Sequence, residues 1–196
     1  YAEMRVEYPP VTGIVMYLAS FAPGPRGYFA ANYAILALAG LGTVWAMYRL
    51  KPQVSLWVFA ATPPLLLYAG LNWDLLAIFF TMASLVFFQR GRDGWSAAVL
   101  ALGVWAKLFP ALLLPALVLQ RGRERNWRSL VVMGGAFSLV SLAVNLPFLL
   151  LSYSGWRHFY DFHGWRPPDG GSFWSNFDGL SVGLVNNLSL AVMIAG

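Results

Sequence analysis

The chain has 196 residues, of which 59% are hydrophobic and only 11% are charged. Soluble domains usually carry about 25% charged residues, so this composition excludes an ordinary soluble domain and indicates an integral membrane protein. The formal net charge is +5, but the basic residues cluster in short loops between apolar stretches, which indicates membrane topology rather than nucleic-acid binding. No cysteine is present, which excludes disulfides and thiolate metal sites.

Apolar stretches predict several membrane-spanning helices, because a helix needs ~20 apolar residues to cross a bilayer. Before the first of them, Val11–Phe21 lies between proline-containing segments and is predicted to be a short helix on the outer membrane surface. The predicted spans, in chain order, are Gly27–Tyr48, Pro52–Ala69, Leu71–Gln89, Leu130–Leu151 and one that begins near Leu180. The chain starts without Met and ends in an apolar stretch. We therefore expect a single transmembrane domain, residues 1–196, that is a fragment of a longer polytopic protein with spans missing at both ends.

Positive charges in the loops predict which side of the membrane each loop occupies. Three connecting loops hold eight of the 13 basic residues but only two acids, and the positive-inside rule places these loops in the cytoplasm. The basic residues concerned are Arg49, Lys51, Arg90, Arg92, Arg121, Arg123, Arg125 and Arg128. The segments Tyr1–Pro25, Gly70–Asp74 and Ser152–Gly179 then face outward, with six of the eight acids and both histidines. Any chemistry is therefore predicted to be extracytoplasmic.

The stretch Trp95–Gln120 is flanked by two of these cytoplasmic loops, so it must enter the membrane and return. Each half has about 12 residues, which is too short for a crossing at ~1.5 Å per residue. The sequence therefore predicts a re-entrant hairpin of two short or half helices that turns at Lys107–Pro110, where the proline suits the break. The Lys107 tip of this hairpin is predicted to face outward. The alternative is a single kinked span, which would put four arginines outside the cell against the charge rule.

Lys107 is flanked by two uncharged stretches of 13 residues each, Gly94–Ala106 and Leu108–Gln120. A charge at membrane depth is costly, so it indicates a functional site and needs an anionic partner. A lipid-linked phosphate would be such a partner, with the lysine as a point charge. The alternatives are a side chain that extends to the membrane interface and a structural pair with Asp74.

Asp74 is predicted to open a helix after Asn72 and Trp73. It is interpreted either as an N-terminal cap or first-turn acid favoured by the helix dipole, or as a catalytic-site carboxylate at the aqueous mouth of a membrane cavity that acts as a base or a substrate contact. The two roles are compatible.

The outer loop Trp156–Trp174 mixes cations, acids, imidazoles and aromatic rings, a composition typical of membrane anchoring and also of sugar binding. Arg166 has the donor geometry to bind phosphate through two parallel hydrogen bonds. Asp161 and His163 have side chains that can bind a metal, but no third ligand is evident in the sequence.

Four groups of residues occur in order along nearly the whole chain. They are Glu7-Tyr8-Pro9-Pro10-Val11-Thr12-Gly13, then Asn72-Trp73-Asp74-Leu75-Leu76-Ala77, then Lys107-Leu108-Phe109-Pro110, then Trp156 with Phe159-Tyr160 and Arg166 through Gly171-Ser172-Phe173-Trp174. Through these four groups of residues the chain resembles a bacterial family of polytopic glycosyltransferases of the C-type (GT-C) superfamily. That family includes the polyprenyl-phosphate-mannose-dependent mannosyltransferases of phosphatidylinositol-mannoside synthesis.

The resemblance implies an all-α polytopic fold in the bacterial plasma membrane with an outward-facing active site. It implies direct, inverting transfer of a sugar from a polyprenyl-phosphate donor to a hydroxyl of a lipid or glycan acceptor. Mannose is the first expectation for the sugar and arabinofuranose the second. No nucleotide or other cofactor is expected, and the resemblance leans against a metal requirement.

By the family pattern, Lys107 and Arg166 would meet the donor phosphate, and Asp74 and Asp169 would line the sugar or acceptor cavity. His163 would be a proton relay or a phosphate contact. The same motifs supply three further candidates for substrate binding, which are Glu7, Ser172 and Trp174. The family's general base is an aspartate in the first external loop. The only acids before the first span here are Glu3 and Glu7, so the base is expected upstream of Tyr1.

Two other functional classes fit parts of this pattern. A transporter or flippase also uses broken helices and intramembrane charge, but it predicts internal repeats and polar groups with access from both sides. A structural subunit would leave the polar and aromatic outer loop unexplained. The sequence shows no convincing repeat, and its polar groups gather on one predicted face.

Single cysteines test the predicted sidedness cleanly because the 196 residues contain none. Asp169→Cys is expected to react with a membrane-impermeant maleimide added to intact cells, whereas Arg123→Cys is expected to react only after permeabilisation. Labelling of the Arg123→Cys variant from outside would overturn the hairpin and the orientation together.

Overall fold

The computed structural model describes residues 7–51, 56, 59, 69–70, 72–167, 170, 173–177 and 179–195. Over these residues the chain forms eight α-helices and two 3-10 helices, and they include no β-strand, so the all-α class is confirmed for this part of the chain. The α-helices are α1 Pro10–Ala19, α2 Gly24–Leu50, α3 Asp74–Gln89, α4 Asp93–Ala106, α5 Leu113–Arg123, α6 Trp127–Leu151, α7 Tyr153–Trp165 and α8 Val182–Ala195. The 3-10 helices are Phe109–Leu112 and Phe173–Asn176.

The helices α2 and α6 have 27 and 25 residues and are long and apolar enough to cross a membrane, judged by length and composition. They cover the predicted spans Gly27–Tyr48 and Leu130–Leu151 and begin slightly earlier than predicted. In α2 the early start places Pro25 in the first turn, where its missing N–H leaves no hydrogen bond unmade. Their many exposed apolar side chains suit contact with lipid, and examples are Leu38 and Val131.

The remaining predictions agree in part with the described helices. The predicted surface helix Val11–Phe21 corresponds to α1, and α3 begins at Asp74 rather than at the predicted Leu71. Most of the predicted span Pro52–Ala69 lies outside the described residues. The number of membrane crossings therefore stays a prediction.

The chain divides into two compact units. The larger unit, Tyr8–Leu151, contains α1 to α6, and the smaller unit, which includes Ser152–Gly196, contains α7 and α8. In the larger unit α3 packs against both α2 and α4, and α4 packs against α6.

Small residues allow α3 and α4 to pack closely. A Cβ added at Gly103 would lie 3.1 Å from the Cβ of Phe80 and 3.5 Å from the carbonyl oxygen of Ala77, so a larger residue would push the helices apart. The hydroxyls of Ser84 and Ser96, both fully buried, lie 3.1 Å apart and form a hydrogen bond. Close approach through small residues, with hydroxyl hydrogen bonds between helices, is typical of helix packing in membranes.

The segment from α4 to α5 forms the predicted helical hairpin. The helix α4 ends at Ala106, Lys107 has extended backbone angles, and the chain turns through Phe109–Leu112 into α5. At the far end, Arg121 near the end of α5 contacts Asp93 at the start of α4. The segment therefore begins and ends at the same place, which excludes the alternative of a single kinked span. That the hairpin enters from the cytoplasm stays a prediction.

Arg121 and Asp93 join the base of this hairpin through a buried network. The Nε and Nη2 atoms of Arg121 donate to Asp93 Oδ1 at 2.9 and 2.8 Å, and Nη2 also donates to the carbonyl oxygen of Phe88 at 3.0 Å. The Ser129 hydroxyl donates to the other carboxylate oxygen of Asp93. Arg121 Nη1 donates to Glu124 at 2.7 Å, and this hydrogen bond lowers the pKa of the Glu124 carboxyl. Four consecutive segments, α3 to α6, thus meet at one guanidinium and its partners.

The polar clusters of the larger unit lie at opposite ends of α3. We call the end with Asp74 and Lys107 the lysine end, and the end with Phe88, Asp93 and Arg121 the arginine end. The 16 residues of α3 separate them by roughly 24 Å, at ~1.5 Å per residue. The larger unit is therefore an apolar helical layer with charged groups at its two faces.

Arg121→Ala is expected to lower the free energy of unfolding by about 3 kcal/mol, because it leaves the Asp93 carboxylate buried without its cation. The matched control is Arg123→Ala, which removes an exposed arginine from the same helix and should change stability by about 0.5 kcal/mol or less. Unfolding of the detergent-solubilised protein measures both. Equal losses in the two variants would contradict the structural role of the Arg121 network.

Candidate functional site

The turn that carries Lys107 is held by hydrogen bonds from two directions. The backbone N–H of Lys107 donates to the carbonyl oxygen of Gly103 at 3.0 Å, as the last bond of α4. The neighbouring carbonyl of Ala106 accepts the hydroxyl of Thr12 at 2.8 Å, and Thr12 is fully buried. This bond satisfies a helix-end carbonyl that would otherwise lack a partner, and it fixes α1 against the end of α4.

Three side chains form a closed cluster at the lysine end. Lys107 Nζ forms an ion pair with Asp74 Oδ1 and donates to Asn72 Oδ1 at 3.2 Å. The Asn72 amide donates in turn to Asp74 Oδ2 at 2.8 Å. Each residue thus contacts the other two, and both carboxylate oxygens accept a hydrogen bond. The structural pair with Asp74, one of the two alternatives for Lys107, is present.

The cluster lies at the surface of the larger unit rather than in its interior. The side chains of Lys107 and Asp74 are 33% and 42% exposed, so solvent screens their attraction. An ion pair this exposed contributes about 1 kcal/mol or less to stability. Asp74 is also in the first turn of α3, where the helix dipole stabilises a negative charge. The interpretation of Asp74 as a first-turn acid agrees with this position, whereas its role at the mouth of a membrane cavity stays a prediction.

The arrangement leaves the lysine able to bind an additional anion. An ammonium has three N–H donors, and in the described part of the chain Asp74 and Asn72 accept from two positions on it. The exposed third of the side chain gives an incoming anion access to Nζ. Asp74 and Asn72 hold the ammonium at the end of the apolar layer, so its position is set before any ligand arrives.

Two predicted site residues, His163 and Arg166, belong to the smaller unit. His163 Nδ1 lies 2.9 Å from the carbonyl oxygen of Phe159, and its ring packs against the Phe159 ring with centroids 4.6 Å apart. The Arg166 guanidinium lies over the Phe162 ring at 5.4 Å from its centroid. The aromatic side chains of α7 thus orient both residues at its C-terminal end.

Asp161 and His163, whose side chains can bind a metal, lie near each other on α7. Asp161 is exposed and accepts from Arg157 Nε at 3.1 Å, as a pair one helical turn apart. Over the ranges that the structure describes, no three His, Asp or Glu residues are grouped so that they could hold a metal ion.

The other predicted contacts are only partly described. Glu7 is exposed and lies just before α1. Trp174 is half-buried in an aromatic group with Phe173 and Phe177, with ring centroids 5.3 and 6.4 Å away. Asp169 and Ser172 lie outside the described residues.

Two residues of the lysine end were not predicted as site residues from the sequence. Asn72 belongs to the motif that precedes α3, and its position two residues before an acid at a helix start is the signal that could have identified it. Thr12 gives no such local signal, because its partner Ala106 is 94 residues away in the sequence.

Comparison with known proteins gives one match. The model of glycosyltransferase family 87 matches residues 7–195, which is nearly the whole chain. The match includes Asn72, Asp74 and Lys107 as well as the helices α7 and α8. No curated protein and no solved structure matches the chain.

A double-mutant cycle between Asp74→Asn and Lys107→Met is expected to give a coupling energy of about 1 kcal/mol in the free energy of unfolding. The value is modest because both side chains are partly exposed. The same cycle between Asp74→Asn and Lys51→Met, which uses the only other lysine of the chain, should give no coupling. If the changes in the free energy of unfolding for Asp74→Asn and Lys107→Met are additive, the ion pair between these residues is contradicted.

Proposed function

The chain belongs to glycosyltransferase family 87, and on that basis we propose that it transfers a sugar from a polyprenyl-phosphate donor to a lipid or glycan hydroxyl outside the cytoplasm. Membership of the family indicates glycosyltransferase activity, and the apolar helices α2 and α6 indicate association with a membrane. The proposal adds the donor class, the side of the membrane and the sugar, for which mannose is the first choice.

The observation that carries this proposal is the position of Lys107. The side chain lies at one end of an apolar helical layer, held by Asp74 and Asn72, with part of its surface exposed. The arginine-rich loops lie at the other end, which the positive-inside rule assigns to the cytoplasm. A cation fixed at the outer boundary of the membrane is suited to a phosphate that is itself anchored there by a polyprenyl chain.

The proposed reaction places the developing charge next to this cation. The acceptor hydroxyl oxygen attacks the anomeric carbon, and the bond from that carbon to the phosphate oxygen breaks. The electron pair leaves with the polyprenyl phosphate, whose added negative charge the Lys107 ammonium stabilises. The hydroxyl proton passes to a general base. Attack from the face opposite the leaving phosphate inverts the anomeric carbon.

Asp74 fits a positioning role in this scheme better than the role of general base. Its two oxygens already accept from Lys107 and from Asn72, so proton transfer to it would disrupt the cluster that holds the ammonium. We propose that Asp74 and Asn72 orient Lys107 toward the donor phosphate. His163 at the end of α7 and Arg166 directly after it belong to the smaller unit, and for these we retain the proposed roles of proton relay and phosphate contact. Further substrate contacts are proposed for Glu7, Asp169, Ser172 and Trp174.

Lys107→Ala is expected to lower sugar transfer about 100-fold or more, because it removes a charge that stabilises the leaving phosphate. Lys107→Arg should keep partial activity, since the cation remains. The measurement uses membranes that contain the full-length protein, radiolabelled polyprenyl-phosphate-mannose as the donor, and extraction of the labelled product.

Lys51→Ala is the matched control, because it removes the other lysine of the chain from the opposite end of the larger unit and should leave transfer unchanged. Full activity of Lys107→Ala would disprove the phosphate role. Wild-type membranes that transfer no mannose should then be tested with polyprenyl-phosphate-arabinofuranose. Failure with both donors would overturn the proposed donor class and favour a transporter.

A further inference from the structure

The arginine end contains a cavity that the proposed reaction does not use. It has a volume of about 460 Å³ and lies between the start of α4 and the first turn of α6. Its wall includes the cations Arg92 and Arg128, the apolar side chains Trp95 and Val132, and Asp93. The volume is within the range of roughly 300–1,000 Å³ that is typical of ligand sites.

The cavity is electrostatically positive even though a carboxylate lines it. Asp93 already accepts two hydrogen bonds from Arg121 and one from Ser129, so its charge is compensated by groups within the protein. In contrast, the guanidinium groups of Arg92 and Arg128 form no hydrogen bond or ion pair with any residue that the structure describes. Both side chains are exposed, and their guanidinium donors remain available for an anion.

Apolar surface adjoins these two arginines. Trp95 and Trp127 are 64% and 69% exposed, and Val131 and Val132 are 75% and 45% exposed. Arginine beside exposed tryptophan at the end of an apolar layer suits an amphipathic ligand, with an anionic headgroup and hydrocarbon chains. A soluble anion would use the arginines but would leave this apolar rim uncovered.

We propose that this cavity binds the phosphate headgroup of an anionic phospholipid, with its acyl chains along Trp95, Val131 and Val132. Arg92, directly before α4, and Arg128, in the first turn of α6, both contact the phosphate, so the lipid joins the start of α4 to the start of α6. The site is separate from the lysine end by the length of α3. Its test therefore does not depend on sugar transfer.

The test is native mass spectrometry of the purified protein in detergent, with phosphatidylglycerol or phosphatidylcholine added. Wild-type protein is expected to retain phosphatidylglycerol in preference to phosphatidylcholine. The double variant Arg92→Gln/Arg128→Gln is expected to bind phosphatidylglycerol at least about tenfold more weakly than the wild type. Its binding of phosphatidylcholine should not change. Arg92→Lys/Arg128→Lys, which keeps both charges, should recover most of the binding.

The matched control is Arg49→Gln/Arg90→Gln. It removes two exposed arginines at the same predicted membrane face, in the last turn of α2 and directly after α3, and neither of them lines the cavity. The proposed site would be overturned if the control double variant lost as much phosphatidylglycerol binding as Arg92→Gln/Arg128→Gln, or if neither double variant lost any. Circular dichroism confirms that each variant remains folded.

Glycerol 1-phosphate has the headgroup chemistry without the acyl chains, and it is expected to bind at least about tenfold more weakly than the lipid. Equal binding of glycerol 1-phosphate and phosphatidylglycerol would assign the cavity to a soluble phosphate and overturn the proposal of a bound lipid.

Discussion

The close contact between α3 and α4 is the constraint on which the rest of the larger unit depends. Gly103 and the buried serines Ser84 and Ser96 allow the two antiparallel helices to pack along their length. This packing brings the N-terminus of α3 to the C-terminus of α4, and so places Asp74 beside Lys107. The same packing brings the C-terminus of α3 to the start of α4, where Arg121 can reach both the Phe88 carbonyl and Asp93. One helix pair thus determines the geometry of both charged ends.

The two ends use similar charges under different physical conditions. At the arginine end the side chains of Arg121 and Asp93 are only 12% and 9% exposed, so removal of one partner leaves a buried charge at a high energetic cost. At the lysine end the two side chains are about three to five times more exposed, and water screens their attraction. A charge pair of the first kind is suited to hold a fold together. A pair of the second kind leaves its cation accessible to a ligand while the pair itself stays formed.

The sequence predicted the long helices and the hairpin because they depend on local properties, namely apolar length, loop charge and the proline at position 110. It also identified Lys107 and Asp74 as the polar groups of one region, since both interrupt apolar stretches on the same predicted face. The network of Arg121 could not be predicted in this way. Its partners Asp93 and Ser129 look like ordinary first-turn residues in the sequence, and only the return of the hairpin brings them together. The role of Thr12 could not be predicted for the same reason, because its partner Ala106 is 94 residues away in the sequence.

The hydrogen bond from Thr12 to the Ala106 carbonyl has a consequence for the order of folding. The two residues are 94 positions apart in the sequence, so the bond cannot form until α4 has been synthesised. At about 5–20 residues per second, α1 waits roughly 5–20 s for its partner after it leaves the ribosome. During this interval the buried hydroxyl of Thr12 has no helix end to bind. The lysine end is therefore a late product of biosynthesis, and it becomes complete only after the first helix and the hairpin have met.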